Sequence, residues 1–206
     1  EARANGQHHT RYLSKNNNHL MRLPSLLKEI PQGQVIIPLR HPFEHAESLR
    51  RQHIRWVERH ADDPFSRSYM DWLAHHEFGS GHIPFSLCAE KSSSLFKPNP
   101  DQMMNIEYWA ERWLDAYQRV DQISSAQTRP QQITLIDYDD LSAHPISTLT
   151  ALSAWLDLDL SSAQIAELSH RLKPAPKRVR PEDISFELRD RLLSQYRSLY
   201  SRCIRA

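Results

Sequence analysis

Glycine is nearly missing from this chain: four residues in 206, about 2% where globular proteins average about 7%. Gly6, Gly33, Gly79 and Gly81 form no glycine-rich turn that could cradle a phosphate, which excludes the P-loop and the dinucleotide fingerprint within this stretch. Cysteine is equally sparse. Cys88 and Cys203 are spaced neither as a metal pair nor as a disulfide framework, so reduced, partly buried thiols and a cytoplasmic compartment are the expectation. No apolar run approaches the roughly 18 residues a membrane span needs, and no secretory leader is legible. Neither sign of charge dominates, with 26 Lys and Arg against 25 Asp and Glu. No bulk field therefore steers the chain to nucleic acid, and any anion site has to be local. No internal repeat is visible.

What is present is an ordinary globular composition, 39% hydrophobic and 25% charged, long enough for a single domain over residues 1–206 with a real core. Two short runs, Gln34–Leu39 (QVIIPL) and Ile133–Ile136 (ITLI), are continuous and β-branched, as strands buried on both faces of a parallel sheet are. Tyr12–Ser14 is a third, shorter strand candidate. Helical spacing of apolar residues predicts helices over His19–Ile30, Pro42 to about His60, Ser66–Phe78, Asn105–Val120, Pro145–Leu156, Ser161–Leu172 and Ser185–Tyr200. Pro24 falls early in the first of these and Pro42 opens the second, positions where proline is tolerated. Ser161 and Gln164 form a capping box. Gly79–Asp101, rich in Ser, Pro and Gly, reads as a long surface loop or a lid within 79–104. Residues 145–206 form a helical C-terminal part, interrupted by the basic, proline-broken Lys173–Arg180 (KPAPKRVR). Strands alternating with helices predict an α/β layered fold.

Three polar residues stand where such a fold does chemistry. Arg40 closes the first strand run, at the carboxyl end where open α/β sheets bind their ligands. Ser48 follows two turns into the next helix, and a guanidinium fork with a hydroxyl makes a clamp for a terminal phosphate. Lys15, at the end of an earlier apolar run, can reach the same sheet edge as a mobile point charge. Spacing alone leaves open both this clamp and plain solvated charges around a filler serine.

The order of these residues resembles the core of the sulfotransferases that use 3′-phosphoadenosine 5′-phosphosulfate. Lys15-Asn16-Asn17, Arg22-Leu23-Pro24-Ser25-Leu26-Leu27, Ile30-Pro31, the strand Val35–Leu39, Arg40-His41-Pro42 and Ser48-Leu49 are similar to that family's succession of lysine, R-[IL]-P-x-L-L, strand, R-[DHN]-P and serine. The separation of 25 residues between Lys15 and Arg40 is similar to that in tyrosylprotein-sulfotransferase-like members. A second patch, Leu135-Ile136-Asp137-Tyr138-Asp139-Asp140-Leu141 with Pro145, Leu149, Leu152 and Trp155-Leu156-Asp157-Leu158, resembles the family's Y-E-D-L segment. The resemblance spans roughly Tyr12 to Tyr200, loosely over Arg55–Gln131.

That resemblance implies a helix-rich, P-loop-NTPase-like three-layer sandwich with a parallel central sheet. It implies transfer of a sulfuryl group from 3′-phosphoadenosine 5′-phosphosulfate (PAPS) to a hydroxyl or amine, leaving adenosine 3′,5′-bisphosphate (PAP), with no metal, no nucleic acid and no membrane span. Arg40 and Ser48 would hold the 3′-phosphate, joined by Lys177 and Arg178 of the basic loop, and Lys15 would neutralise charge growing on the leaving oxygen. Members of the family open with a strand, a glycine-bearing loop and a helix ahead of the lysine. Only 14 residues precede Lys15, so the first βα unit is expected to be missing from this chain. Two alternatives stand beside the transferase: a kinase or other nucleoside-phosphate-dependent transferase on the same fold, and a non-catalytic binding domain descended from a sulfotransferase.

Other features fit bland readings as well as sharp ones. His8, His9 and His19 flank Lys15 and are candidate bases. His75-His76-Glu77 is not the H-E-x-x-H of a metallopeptidase and reads as surface or partly buried histidines. Trp109 and Trp113, one turn apart, read as core. Arg50, Arg51 and Arg55 read as a solvated face, with added positive potential near a phosphate as the alternative.

Overall fold

The structure, a computed structural model, describes residues 11–84, 98–126, 129, 131–174 and 181–205. In chain order a 3₁₀ helix (Asn17–Arg22) leads into α1 (Leu23–Glu29), β1 (Val35–Leu39), α2 (Pro42–Asp62), α3 (Pro64–Trp72) and α4 (Pro100–Met104). After these come α5 (Ile106–Ser125), β2 (Ile133–Asp137), α6 (Tyr138–Ala143), α7 (Pro145–Trp155), α8 (Ser162–Ser169) and α9 (Phe186–Tyr200). The molecule is a helix-rich α/β protein with a small parallel sheet. It divides into two compact units, one of residues 1–40, 122–176 and 198–206, the other of 41–121 and 177–197.

The first unit holds the sheet. β1 and β2 pair in parallel, in the register Val35 with Ile133 through Leu39 with Asp137. On the far side of β2 the C-terminal tail adds a short parallel bridge, Leu135 to Cys203, and the Ile204 amide donates to the Leu135 carbonyl at 2.8 Å. β2 is thus flanked on both sides, and Thr134, Leu135, Ile136 and Asp137 are all buried. β1 departs from the expected double burial: its exposure alternates, with Ile36 and Pro38 turned outward. Leu20, Leu23, Leu27 and Ile123 pack against the Val35 and Ile37 side, together with Ile133. Among the described residues β1 pairs with β2 alone. A proline without an N–H is tolerated on such an edge.

Two expectations fail in this unit for backbone reasons. Tyr12–Ser14 forms no strand; Tyr12 and Leu13 are about nine-tenths exposed and nothing pairs with them in a sheet. The helix expected over His19–Ile30 is two pieces. Pro24 lacks an N–H and its ring crowds the preceding turn, so the α-helix starts at Leu23 with Pro24 in its first turn. The residues before it wind as a 3₁₀ helix capped by the Asn16 side chain. α8, in contrast, begins as expected, with Ser161 and Gln164 capping reciprocally.

The second unit is helical. Trp109 and Trp113 of α5 are core residues, and Leu114, Tyr117, Val120, Ile184, Leu188 and Leu192 of the same unit are buried as well. The helix expected over Ser66–Phe78 is displaced and shorter. It ends at Trp72 because Ala74 takes φ 55°, and the His75 and Ala74 amides donate back to the Met70 and Asp71 carbonyls, the paired bonds of a Schellman stop. Of the Gly79–Asp101 loop, residues 85–97 lie outside the described residues. Its end is not loop at all, since Asn99 and Gln102 form a capping box that starts α4.

Candidate functional site

The register of the sheet decides what stands at its carboxyl edge. Leu39 faces Asp137 across the pair, so the residues that follow, Arg40 and Tyr138, leave the edge side by side. The Arg40 guanidinium carbon lies 5.6 Å from the centre of the Tyr138 ring, within cation–π range. Two sequence patches nearly a hundred residues apart are brought together here by strand pairing. Asp137, 1% exposed, turns its side chain onto the start of α6, where its Oδ1 accepts from the Asp139 and Asp140 amides at 2.9 and 3.0 Å. A carboxylate at a helix N-terminus stabilises the first turn through those bonds and the helix dipole. The Tyr138 hydroxyl donates to the Lys173 carbonyl at 2.8 Å, and the Tyr200 hydroxyl donates to Asp140 Oδ1 at 3.1 Å. That bond, with burial, raises the Tyr200 pKa. Burial, reinforced by Asp137 and Asp140, pushes the Cys203 thiol up to about 12, so Cys203 stays protonated and inert.

The other predicted residues have different surroundings. Lys15 is exposed, outside any helix or strand, two residues before the 3₁₀ helix. Nearby, the Ser14 hydroxyl and His19 Nε2 lie 3.0 Å apart, which ties the candidate base His19 to a local hydroxyl. Ser48 is exposed on α2, the seventh residue of that helix. Arg40 closes a segment of the first unit and Ser48 belongs to the second. α2 starts with Pro42, and its N-cap residue His41 makes no side-chain cap bond. Of the arginines on α2, Arg50 is paired with Glu47 at 2.7 Å, which counts against the alternative of added positive potential there. Lys177, Arg178, His8 and His9 lie outside the described residues.

A histidine network in the second unit carries no motif or compositional mark. His53 is fully buried, and its Nδ1 accepts the Gly79 amide proton at 3.2 Å. His82 Nδ1 lies 3.1 Å from the His76 carbonyl, and its Nε2 lies 2.7 Å from the Tyr108 hydroxyl. A carbonyl can only accept, so His82 carries its proton on Nδ1 and takes the tyrosine proton at Nε2. Burial lowers the pKa of both rings, that of His53 to about 4 with His82 adding to the effect, and burial raises Tyr108 to about 12. His60 is lowered as well, by burial first. Trp109 packs beside both rings, 5.3 Å from His53 and 5.2 Å from His82. The signal was in the spacing: Ala46, His53 and His60 recur every seven residues on the buried stripe of α2.

A cleft of about 420 Å³ in the second unit is lined by Glu107, Glu111, Tyr108, Ser185, Glu187 and Arg191 among others. Its polar groups are largely committed to the fold. Glu107 accepts from the Ser185 amide at 2.7 Å, and Glu111 is bonded to Arg191 at 3.1 Å. None of the residues singled out in the sequence lines it. Among the described residues no group of three His, Cys, Asp or Glu side chains is placed to hold a metal ion, and no helix is long and apolar enough to cross a membrane. No protein-family model, no curated protein and no solved structure matches the chain.

Proposed function

We propose that the chain is a sulfotransferase domain that takes PAPS as donor and a hydroxyl or amine as acceptor, on a P-loop-like variant of the α/β fold. One observation supports this reading above the others: Arg40 and Tyr138, one from each of the two family-like patches, meet at the carboxyl edge of a parallel strand pair. Ligands of open α/β sheets bind at that edge. Arginine's planar guanidinium matches phosphate geometry bidentately, which suits this position to an anion.

In this reading Arg40 binds the 3′-phosphate of the nucleotide. Lys15 neutralises the leaving phosphate oxygen as the sulfuryl group departs. The transition state of such a transfer is a spread-out anion, so fixed positive charge supplies most of the catalysis. A side-chain base takes the acceptor proton.

The test is calorimetric titration of the chain with PAP and with adenosine 5′-monophosphate, repeated on Arg40→Ala. The expected result is that PAP binds more tightly by ~1.5–3 kcal/mol, the worth of a hydrogen bond to a charged group, and that Arg40→Ala removes the difference. Equal binding of the two nucleotides by the unaltered chain refutes the reading in favour of a kinase-like site that ignores the 3′-phosphate. Binding of neither favours a non-catalytic domain.

A further inference from the structure

α3 is turned the wrong way round for a core helix. Phe65, Tyr69 and Trp72, spaced as one stripe, are 72%, 48% and 79% exposed, and Leu73 beside them is 40% exposed. Ser66, Arg67 and Met70 are the half-buried residues. The inward side is anchored by polar bonds. The Ser66 hydroxyl donates to the Asp63 carbonyl at 2.7 Å, and the Arg67 guanidinium lies so close to Gly81 that a Cβ there would sit 1.6 Å from Nη1. The aromatic face is therefore held outward by the packing of the opposite side.

The three rings form a ladder. Phe65 and Tyr69 have centroids 5.9 Å apart and planes 21° apart; Tyr69 and Trp72 are at 6.2 Å and 29°. Near-parallel rings in contact have planes about 3.5–4 Å apart, so rings with these centroid distances are displaced sideways by more than their plane spacing. The result is a stepped platform with much of each ring face open, rather than a closed stack. A pyranose ring presents a patch of C–H groups that lies flat on such a face, and the ladder repeats at roughly the length of one sugar unit.

Charge and area select among occupants. The arginines nearest the stripe are neutralised: Arg59 pairs with Asp63 at 3.2 Å and Arg67 with Asp71 at 3.0 Å. Glu58 and Asp62, just before α3 in the chain, are exposed acids. Nucleic acid, anionic lipid and sulfated glycans, all of which need net positive charge, are disfavoured. Taking 150–250 Å² for each aromatic side chain, the exposed ring area comes to about 400 Å². That is half of the roughly 800 Å² per partner of a stable protein interface, yet within the range of functional surface patches. We propose that the outer face of α3, formed by Phe65, Tyr69 and Trp72, is a binding platform for a neutral oligosaccharide. The proposal stands without the sulfotransferase reading.

The test uses the whole chain and no nucleotide. Cellohexaose, maltohexaose, mannohexaose and chitohexaose are titrated in turn, with tryptophan fluorescence and amide chemical shifts as readouts. Saturable binding of at least one of them is expected, with shifts confined to residues 64–74. Trp72→Ala should weaken it at least about tenfold, the factor expected when tens of Å² of ring contact are lost. Arg40→Ala should leave it unchanged. These side chains are exposed, so the variants keep the fold, which circular dichroism checks. Failure of all four sugars to bind, or binding that Trp72→Ala leaves intact, overturns the proposal. So does a concentration-dependent dimer in sedimentation, or partition onto phosphatidylcholine vesicles, abolished by Trp72→Ala. Because no donor is present, PAP binding and sugar binding fail or succeed separately.

Discussion

Lowering the pH from 7.5 to 5 should loosen the second unit at His53. The buried ring accepts a hydrogen bond from the Gly79 amide at Nδ1, so a proton placed on that nitrogen would face another donor and break the bond. Burial, with His82 beside it, holds the folded pKa near 4 against an ordinary value of 6.5. The folded state therefore binds fewer protons than the unfolded chain between these two values. Stability is fully present above pH 6.5 and is lost as the pH falls through the unfolded pKa toward 4. Integrating the two titrations gives a loss of about 2 kcal/mol at pH 5 relative to 7.5. That is a large share of the roughly 5–15 kcal/mol by which domains are stable. His60 and His82 are shifted downward too and add in the same direction. The perturbation that isolates His53 is His53→Gln, which keeps an acceptor for Gly79 but cannot titrate. Urea unfolding at both pH values should show a pH-dependent loss smaller by about 2 kcal/mol in the variant, and the His53 ring resonances of the unaltered protein should not titrate above pH 5. Equal pH dependence of variant and parent, or a His53 midpoint near 6.5, refutes the reasoning.

Gly79 is the other half of that contact. It has φ 81°, and a Cβ there would lie 2.5 Å from His60 Cε1 and 3.1 Å from Trp56 Cβ. Gly79→Ala should cost about 2–4 kcal/mol in denaturant unfolding, from backbone strain and overpacking together. Ala74 presents the opposite case, an alanine at φ 55° in the stop of α3. Ala74→Gly should stabilise the fold by about 0.5–1 kcal/mol because only glycine adopts that conformation without strain, and an unchanged unfolding midpoint would contradict it.

Local chemistry was legible in the sequence. The β-branched runs became β1 and β2, Pro42 opened α2, the seryl capping box began α8, and the apolar stripe of Trp109 and Trp113 became core. Each depends on neighbours within a few residues, where sterics, missing N–H groups and periodicity act directly. Where such local rules competed, the outcome was harder to read: Pro24 split one expected helix, and Ala74 cut another short. Arg40 was marked as a strand-end residue, but its ring partner was not, because Tyr138 reaches it only through the parallel register of two strands distant in the chain.

The tertiary structure alone decided the rest. Periodicity says that a helix has an apolar stripe but not which way packing will turn it, and α3 keeps its aromatic ladder outward because Ser66 and Arg67 are held on the other side. His53 sits at a core position on α2 by spacing. Its neutral state and its bond to Gly79 exist only because a turn 26 residues away folds over it and excludes water. Burial by distant chain changes the chemistry of a residue without changing its neighbours in sequence, and that is why charge state and orientation were absent from the linear code while the elements themselves were written in it.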